Sequence, residues 1–267
     1  GKSHAKGLAA RGAKVVVNDF GGSLDGSGNS TNLADIVALE INKNGGEAIS
    51  NSSSVTDQTN IEKMVEDVLS KWGRIDILVN NAGILRDKSF LKMSISDFRA
   101  VVDVHLMGSV ICSKAVWEHM KNQKYGRIVM TTSSSGMYGN FGQSNYGSAK
   151  MGLIGLMNVL AIEGSKDGII VNALSPTAST IMTEKILDQK SLKLLNVESV
   201  TAGLLYLVSD LANSREILAA GAGGDAFSKI LETDGIYLEP EEQSPENIYK
   251  NLSKIHNTEN SEYFDQG

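Results

Sequence analysis

Cysteine is nearly absent: Cys112 is the only one in 267 residues. No intramolecular disulfide can form, and a reducing compartment is the simplest expectation. Proline is scarce at 3 residues, which suits long, unkinked helices. Aromatic residues make up only 6% of the chain, so the core must be built mainly from aliphatic side chains. There is no run of Lys and Arg, and the formal charge is −6, which argues against a nucleic-acid partner. No uninterrupted apolar run reaches the roughly 18 residues of a membrane span, and the first residues show no signal-peptide pattern. His4 and His119 fall in helix patterns and His256 in the polar tail. None of them joins a ligand-type cluster, so no metal site is expected.

What remains is a chain rich in glycine, with 27 residues, and 41% apolar. That composition fits one sizeable α/β domain with many strand-to-helix turns. Short apolar runs alternate with helical periodicity. A helix over 2–11 leads to a strand at Lys14–Asn18 around Val15-Val16-Val17. Helices are predicted near 31–43, 57–71, 96–121, 144–165 and 197–209. Strands are predicted near 47–50, 75–79, 127–132, 169–173 and 215–220. Continuous apolar strands separated by helices imply a parallel sheet covered on both faces, a doubly wound, Rossmann-type α/β fold. Ligands in such sheets bind beyond the carboxyl ends of the strands. Residues 1–222 read as the dinucleotide-binding and catalytic domain. Residues 223–267 are polar, with a short helix near 244–255, and read as a C-terminal appendage of it.

Four features after strands carry chemistry. Tyr146-Gly147-Ser148-Ala149-Lys150 opens a long predicted helix, and its i, i+4 spacing places phenol and ammonium on one face. A phenol acting as a base near neutrality needs its pKa lowered by roughly three units, about 4 kcal/mol. The neighbouring ammonium and a cationic nicotinamide are expected to supply this. Alone, such a spacing is more often a surface pair. The second feature is Thr131-Thr132-Ser133-Ser134-Ser135-Gly136, where one hydroxyl can bond a reacting oxygen. Ser134 and Ser135 read as loop or cap hydroxyls, leaving Ser133 as the candidate. The third is Asn80-Asn81-Ala82-Gly83, either a close backbone approach to a flat ligand or a simple turn. The fourth is Asp19, just past the valine-rich strand. A carboxylate there accepts from an adenosine ribose and repels a 2′-phosphate, which favours NAD over NADP; a plain turn aspartate is the alternative.

Together these residues resemble the short-chain dehydrogenase/reductase superfamily. The stretches Gly12–Gly22, Asn81–Asp87, Val104-His105-Leu106 and Tyr138–Gln143 are similar to one branch of it. That branch is the (3R)-hydroxyacyl-CoA dehydrogenase unit of multifunctional enzyme type 2. The resemblance covers about residues 1–222. It implies Tyr146 as general acid/base, Lys150 as its electrostatic partner and ribose ligand, and Ser133 orienting the substrate oxygen. It further implies Asp19 at the adenosine ribose, Asn81, Ala82 and Gly83 along the cofactor, and Ser54-Val55 beside the adenine. Pro176 and Thr183 would lie over the carboxamide. His105 stands where most of the superfamily has a catalytic asparagine. It is a candidate through the water its backbone could bind, and equally a structural histidine.

The family's Gly-rich phosphate loop is not seen; Gly1 matches its last glycine. A longer natural chain is therefore expected, since one beginning at Gly1 would lack the central strand and bind NAD poorly. Gly224-Asp225-Ala226-Phe227-Ser228-Lys229 departs from the branch, which has aromatic and arginine residues there. The expected activity is reversible hydride transfer between NAD and C3 of a (3R)-hydroxyacyl-CoA. The alternatives are reduction of a 3-oxoacyl-carrier-protein, steroid or sugar, or a non-catalytic binding member. A homodimer or homotetramer is expected through the helices at 97–121 and 144–165. The ending Phe264-Asp265-Gln266-Gly267 is no Ser-Lys-Leu address, so cytoplasm is expected, with peroxisome as the alternative.

Overall fold

β-Branched side chains suit a pleated, half-buried surface, and Val15–Val17 lie at the centre of β1 (Lys14–Asn18). The computed structural model describes residues 1–28, 32–178, 194–259, 261 and 264. β1 pairs in parallel with β2 (Glu47–Asn51), placing Val16 opposite Ile49. Helix α1 (Lys2–Ala9) precedes β1, and α2 (Asn32–Lys43) connects the two strands. Ala9, Val15, Val37, Ile41 and Ala48 close a small core between them.

A second sheet holds β3 (Ile77–Asn80), β4 (Gly126–Thr131), β5 (Ile169–Pro176), β6 (Ile217–Gly221) and β7 (Gly224–Ser228), in that order. Its first four strands are parallel, with Asn80 opposite Met130, Thr131 opposite Leu174 and Pro176 opposite Ala220. Every residue of β4 is buried, as a strand covered on both faces requires. On one face, α3 (Gln58–Trp72), α5 (Gly108–Gln123) and α7 (Ser144–Gly164) bring Val65, Val116, Met120, Leu153 and Met157 against Met130 and Val171. On the other, α8 (Val197–Leu207) lays Val200, Leu204 and Leu207 on Val129, Leu174 and Leu218. This is the parallel sheet flanked by helices that the sequence predicts. Among the described residues no strand pairs β1 with β3, so the sheet stands in two pieces.

The helix predicted as one element at 96–121 is broken into α4 (Ile95–Val102), a π-helical turn at Asp103–Met107, and α5. Taken through that turn the run is 29 residues long, and by length and composition it could cross a membrane. Here Val101, Val116 and Met120 are buried inside the protein. Strand β7 also lies outside the sequence prediction. Ala222 and Gly223, at φ +52° and +77°, make the two-residue left-handed turn that joins it to β6.

The chain divides into two units, Gly1–Phe227 and Ser228–Gly267. The second contains α9 (Pro245–Lys250), capped by Ser244, and α10 (Leu252–Ile255). Thr233 Oγ1 donates to the Ile255 carbonyl at 2.7 Å and ties this unit's ends together.

Candidate active site

Parallel register brings the carboxyl ends of β3, β4 and β5 side by side, so the loops that follow them converge. A cleft of about 1570 Å³ opens there. Gly1, Asp19, Asn81, Gly83, His105, Ser133, Tyr146, Lys150 and Pro176 all line it. Ser54, Val55 and Ala82 are not among its lining residues. Ser54 hydrogen-bonds Thr56, and Val55 packs so closely on α5 that a Cβ at Gly108 would come within 2.6 Å of it. Thr183 lies outside the described residues. Leu24, Asn140 and Gln143 also line the cleft; Asn140 and Gln143 lie in the Tyr138–Gln143 stretch that carries the resemblance but have no site role assigned by it, and Leu24 is an isolated side chain on an irregular loop.

Ser133 follows β4 by two residues and is the N-cap of α6 (Ser134–Tyr138). Its oxygen accepts from the Ser135 N–H at 3.1 Å, so the capping role expected of Ser134 or Ser135 falls to Ser133. The same hydroxyl hydrogen-bonds the Tyr146 phenol, which its donor and two lone pairs allow. Two glycines permit this approach. A Cβ at Gly136 would sit 2.8 Å from the Met151 nitrogen, and one at Gly147 2.9 Å from the Ser135 carbonyl oxygen. Helix α6 therefore lies backbone-to-backbone on α7.

Lys150 is 3% exposed. Its Nζ donates to the Thr131 carbonyl, and its own carbonyl accepts from Thr132 Oγ1 at 2.8 Å, fastening α7 to the end of β4. Burial pulls the ammonium down to about 7. Nζ lies 5.3 Å from the Tyr146 ring centroid. The phenol itself is pushed above its ordinary value, first by burial and then by the Asp87 charge, against the Ser133 hydrogen bond. The sequence reading has Lys150 lowering it. In the protein alone, desolvation dominates both groups and favours their neutral forms.

His105 sits in the π turn, 2% exposed, with its ring at right angles to Tyr146 and 5.1 Å away, centroid to centroid. The widened turn directs it toward the cleft, a placement common for π turns at functional sites. Burial, and secondarily Lys150, push its pKa down to about 3, so the imidazole is neutral. Nε2 contacts both the N–H and the carbonyl of Ile84, at 3.1 and 2.9 Å, and satisfies one or the other according to tautomer. Nδ1 is buried without a hydrogen-bond partner. The His105 carbonyl, the expected water ligand, accepts from Ser109 Oγ at 2.7 Å.

The residues present fit a dinucleotide. Gly83 has no side chain where one would strike His105, Asp19 lines the same cleft, and the buried Thr131 hydroxyl has no hydrogen-bond partner. Asp19 accepts from the Gly21 N–H at 2.7 Å, which fixes the start of the loop after β1.

Comparison with known proteins agrees with this geometry. Residues 1–191 match the model of the short chain dehydrogenase family. The chain is 46% identical over 258 residues to the peroxisomal hydratase-dehydrogenase-epimerase of Saccharomyces cerevisiae, covering 96% of this chain and 28% of that protein. It is 41% identical over 219 residues to a 3-oxoacyl-[acyl-carrier-protein] reductase of Synechocystis, covering 79% of this chain and 85% of that one. The full-length peroxisomal multifunctional enzyme type 2 of Drosophila melanogaster superposes with a TM-score of 0.81 at 37% identity, over 99% of this chain and 44% of that one. The chain thus spans well under two thirds of the yeast and fly proteins. By family model, by identity over most of its length and by fold, the chain belongs to the short-chain dehydrogenase family and is an oxidoreductase of the kind that uses a nicotinamide cofactor.

Proposed function

We propose that this chain carries out reversible hydride transfer between NAD and C3 of a (3R)-3-hydroxyacyl-CoA. The observation that carries the reading is the Ser133–Tyr146–Lys150 group, joined in one cleft beside a neutral His105. The nicotinamide cofactor, when bound, supplies the hydride acceptor. Gly1, Asp19, Asn81, Gly83 and Pro176 would hold it, and the Asp19 carboxylate favours a free ribose 2′-hydroxyl, hence NAD. Tyr146, as phenolate, takes the substrate hydroxyl proton and becomes the neutral phenol, while the hydride leaves from C3. Ser133 holds that hydroxyl in line. Lys150, whose pKa burial brings to about 7, becomes more fully cationic beside a phenolate and stabilises it in turn. His105 supports the Tyr146 ring edge and excludes water behind it.

The acyl-CoA substrate comes from the sequence resemblance to the (3R)-hydroxyacyl-CoA dehydrogenase branch, with which the yeast relative's name, hydratase-dehydrogenase-epimerase, and the fly relative's, multifunctional enzyme type 2, are in keeping. Both names also say peroxisomal, which favours that compartment over cytoplasm. Exposed Met107, Met151, Val159 and Ile162 along the π turn and α7 support a homodimer or homotetramer. The Synechocystis relative favours a second reading, reduction of a 3-oxoacyl thioester on a carrier protein. The test is NADH formation from each enantiomer of a medium-chain 3-hydroxyacyl-CoA, using the full-length protein. Turnover of the 3R form alone is expected. Turnover only of a carrier-protein thioester would move the assignment to the second reading.

A further inference from the structure

The loop after Asn81 and Gly83, which line the cleft, is held by several neighbouring segments. Ile84 meets His105 Nε2, and the Leu85 N–H donates to the Leu24 carbonyl at 2.8 Å. Arg86 Nε donates to the Asp25 carbonyl at 2.8 Å, and its guanidinium and Lys88 both pair with Asp97 of α4. Gln143 Nε2 donates to the Asp87 carboxylate at 2.7 Å, and the Lys88 N–H donates to the Gly142 carbonyl at 2.9 Å. One short segment thus ties the loop after β1, the π turn and the start of α7 together.

Within α7 itself, the link runs through Asn145. Asn145 is 0% exposed and stands next to Tyr146. Its Nδ2 donates to the Arg86 carbonyl at 3.1 Å, and its Oδ1 accepts the Tyr146 N–H at 2.8 Å. That N–H is in the first turn of α7, where no helical carbonyl is available to it. We propose that Asn145 is a positioning residue: its amide clamps the first turn of α7, and with it the Tyr146 phenol, to the Ile84–Lys88 loop that continues from the cofactor-facing segment. The inference rests on Tyr146 as the acid/base. It adds how the phenol keeps its place relative to the cofactor's wall, although Asn145 touches neither.

The chemistry of the clamp sets its test. Asn145→Leu removes both hydrogen bonds at similar volume. Asn145→Asp keeps the acceptor for Tyr146 N–H, but its carboxylate opposes the Arg86 carbonyl oxygen. The protonated carboxyl donates to that oxygen and restores the clamp. Burial raises the pKa of such an introduced acid. The charged and titratable groups on the elements around this position include Arg86, Asp87, Lys88, Asp97, Arg99, His105, Tyr146 and Lys150.

In the full-length protein, Asn145→Leu is expected to lower kcat by about 100-fold, the cost of a displacement near 1 Å, with the NAD dissociation constant unchanged. For Asn145→Asp, the ratio of its kcat to the parent's at each pH is expected to rise as pH falls from about 8.5 to about 6. A merely structural role would lower thermal stability and leave both the kcat of folded enzyme and that ratio unmoved. Parental kcat with a flat ratio in Asn145→Asp overturns the clamp, even if Asn145→Leu does not fold. Tyr146→Phe serves as the control. If it still turns over, the reading of the site fails; if it is inactive while both Asn145 variants are normal, only the clamp fails.

Discussion

Replacing Gly83 with alanine tests the packing that sets the active-site histidine. The new Cβ would come 2.2 Å from His105 Cε1, 2.9 Å from Nδ1 and 3.0 Å from Nε2. The ring cannot retreat freely, since Nε2 is bonded to Ile84 and its face abuts Tyr146. Overpacking of this kind costs about 1–3 kcal/mol, and the upper half of that range fits a contact this short against a bonded ring. For a unit of this size each kcal/mol moves Tm by roughly 2–4 °C, so a fall of about 4–12 °C follows. Because the strain relaxes toward Tyr146, kcat should fall about 10- to 100-fold. The assay is a thermal melt and a steady-state progress curve on Gly83→Ala, His105→Ala and the double variant. Removing the ring removes the clash, so the double variant should be more stable than the sum of the singles predicts, with a coupling of about 1 kcal/mol or more. A Gly83→Ala protein with parental Tm and parental kcat would refute the reasoning.

Two further outcomes follow from charges in the cleft. Lys150 has its pKa pulled from 10.5 to about 7 in the folded protein by burial. Between those values the unfolded chain binds the extra proton, so parental stability rises with pH across the window and carries the full burial cost below it. Lys150→Met should therefore melt above the parent near pH 6, by an advantage of roughly 5 kcal/mol that fades as pH approaches about 10.5; a pH-independent difference in Tm would contradict the burial of a charge. Asp19→Ala should raise the ratio of NADP to NAD use by at least about tenfold, measured as kcat/KM for each, and an unchanged ratio would remove Asp19 from cofactor choice.

The parallel sheet was legible because its strands are apolar runs: Val15–Val17, Ile77–Val79, Ile128–Met130 and Ile169–Val171 are bounded by helical periodicity on both sides. Tyr146 and Lys150 were legible because helix geometry alone puts i and i+4 on one face. Strand β7 was not, since four of its five residues are exposed and no apolar alternation marks it. The π turn was hidden because the periodicity of 95–123 does not reveal one extra residue per turn, and that residue is what turns His105 inward. The protonation of the Tyr146–Lys150 pair depends on burial, which belongs to tertiary structure rather than to spacing. The clamp at Asn145 likewise joins residues almost 60 positions apart, a contact that no local pattern encodes.

The central claim is that the Tyr146 phenol moves the substrate proton in a site whose cofactor binding does not depend on it. The direct measurement is turnover of (3R)-3-hydroxyacyl-CoA and NAD affinity on the same full-length Tyr146→Phe preparation. A loss of kcat by about 10²- to 10⁴-fold with NAD affinity unchanged is the predicted result. Retained turnover, or the joint loss of turnover and NAD binding, would contradict it.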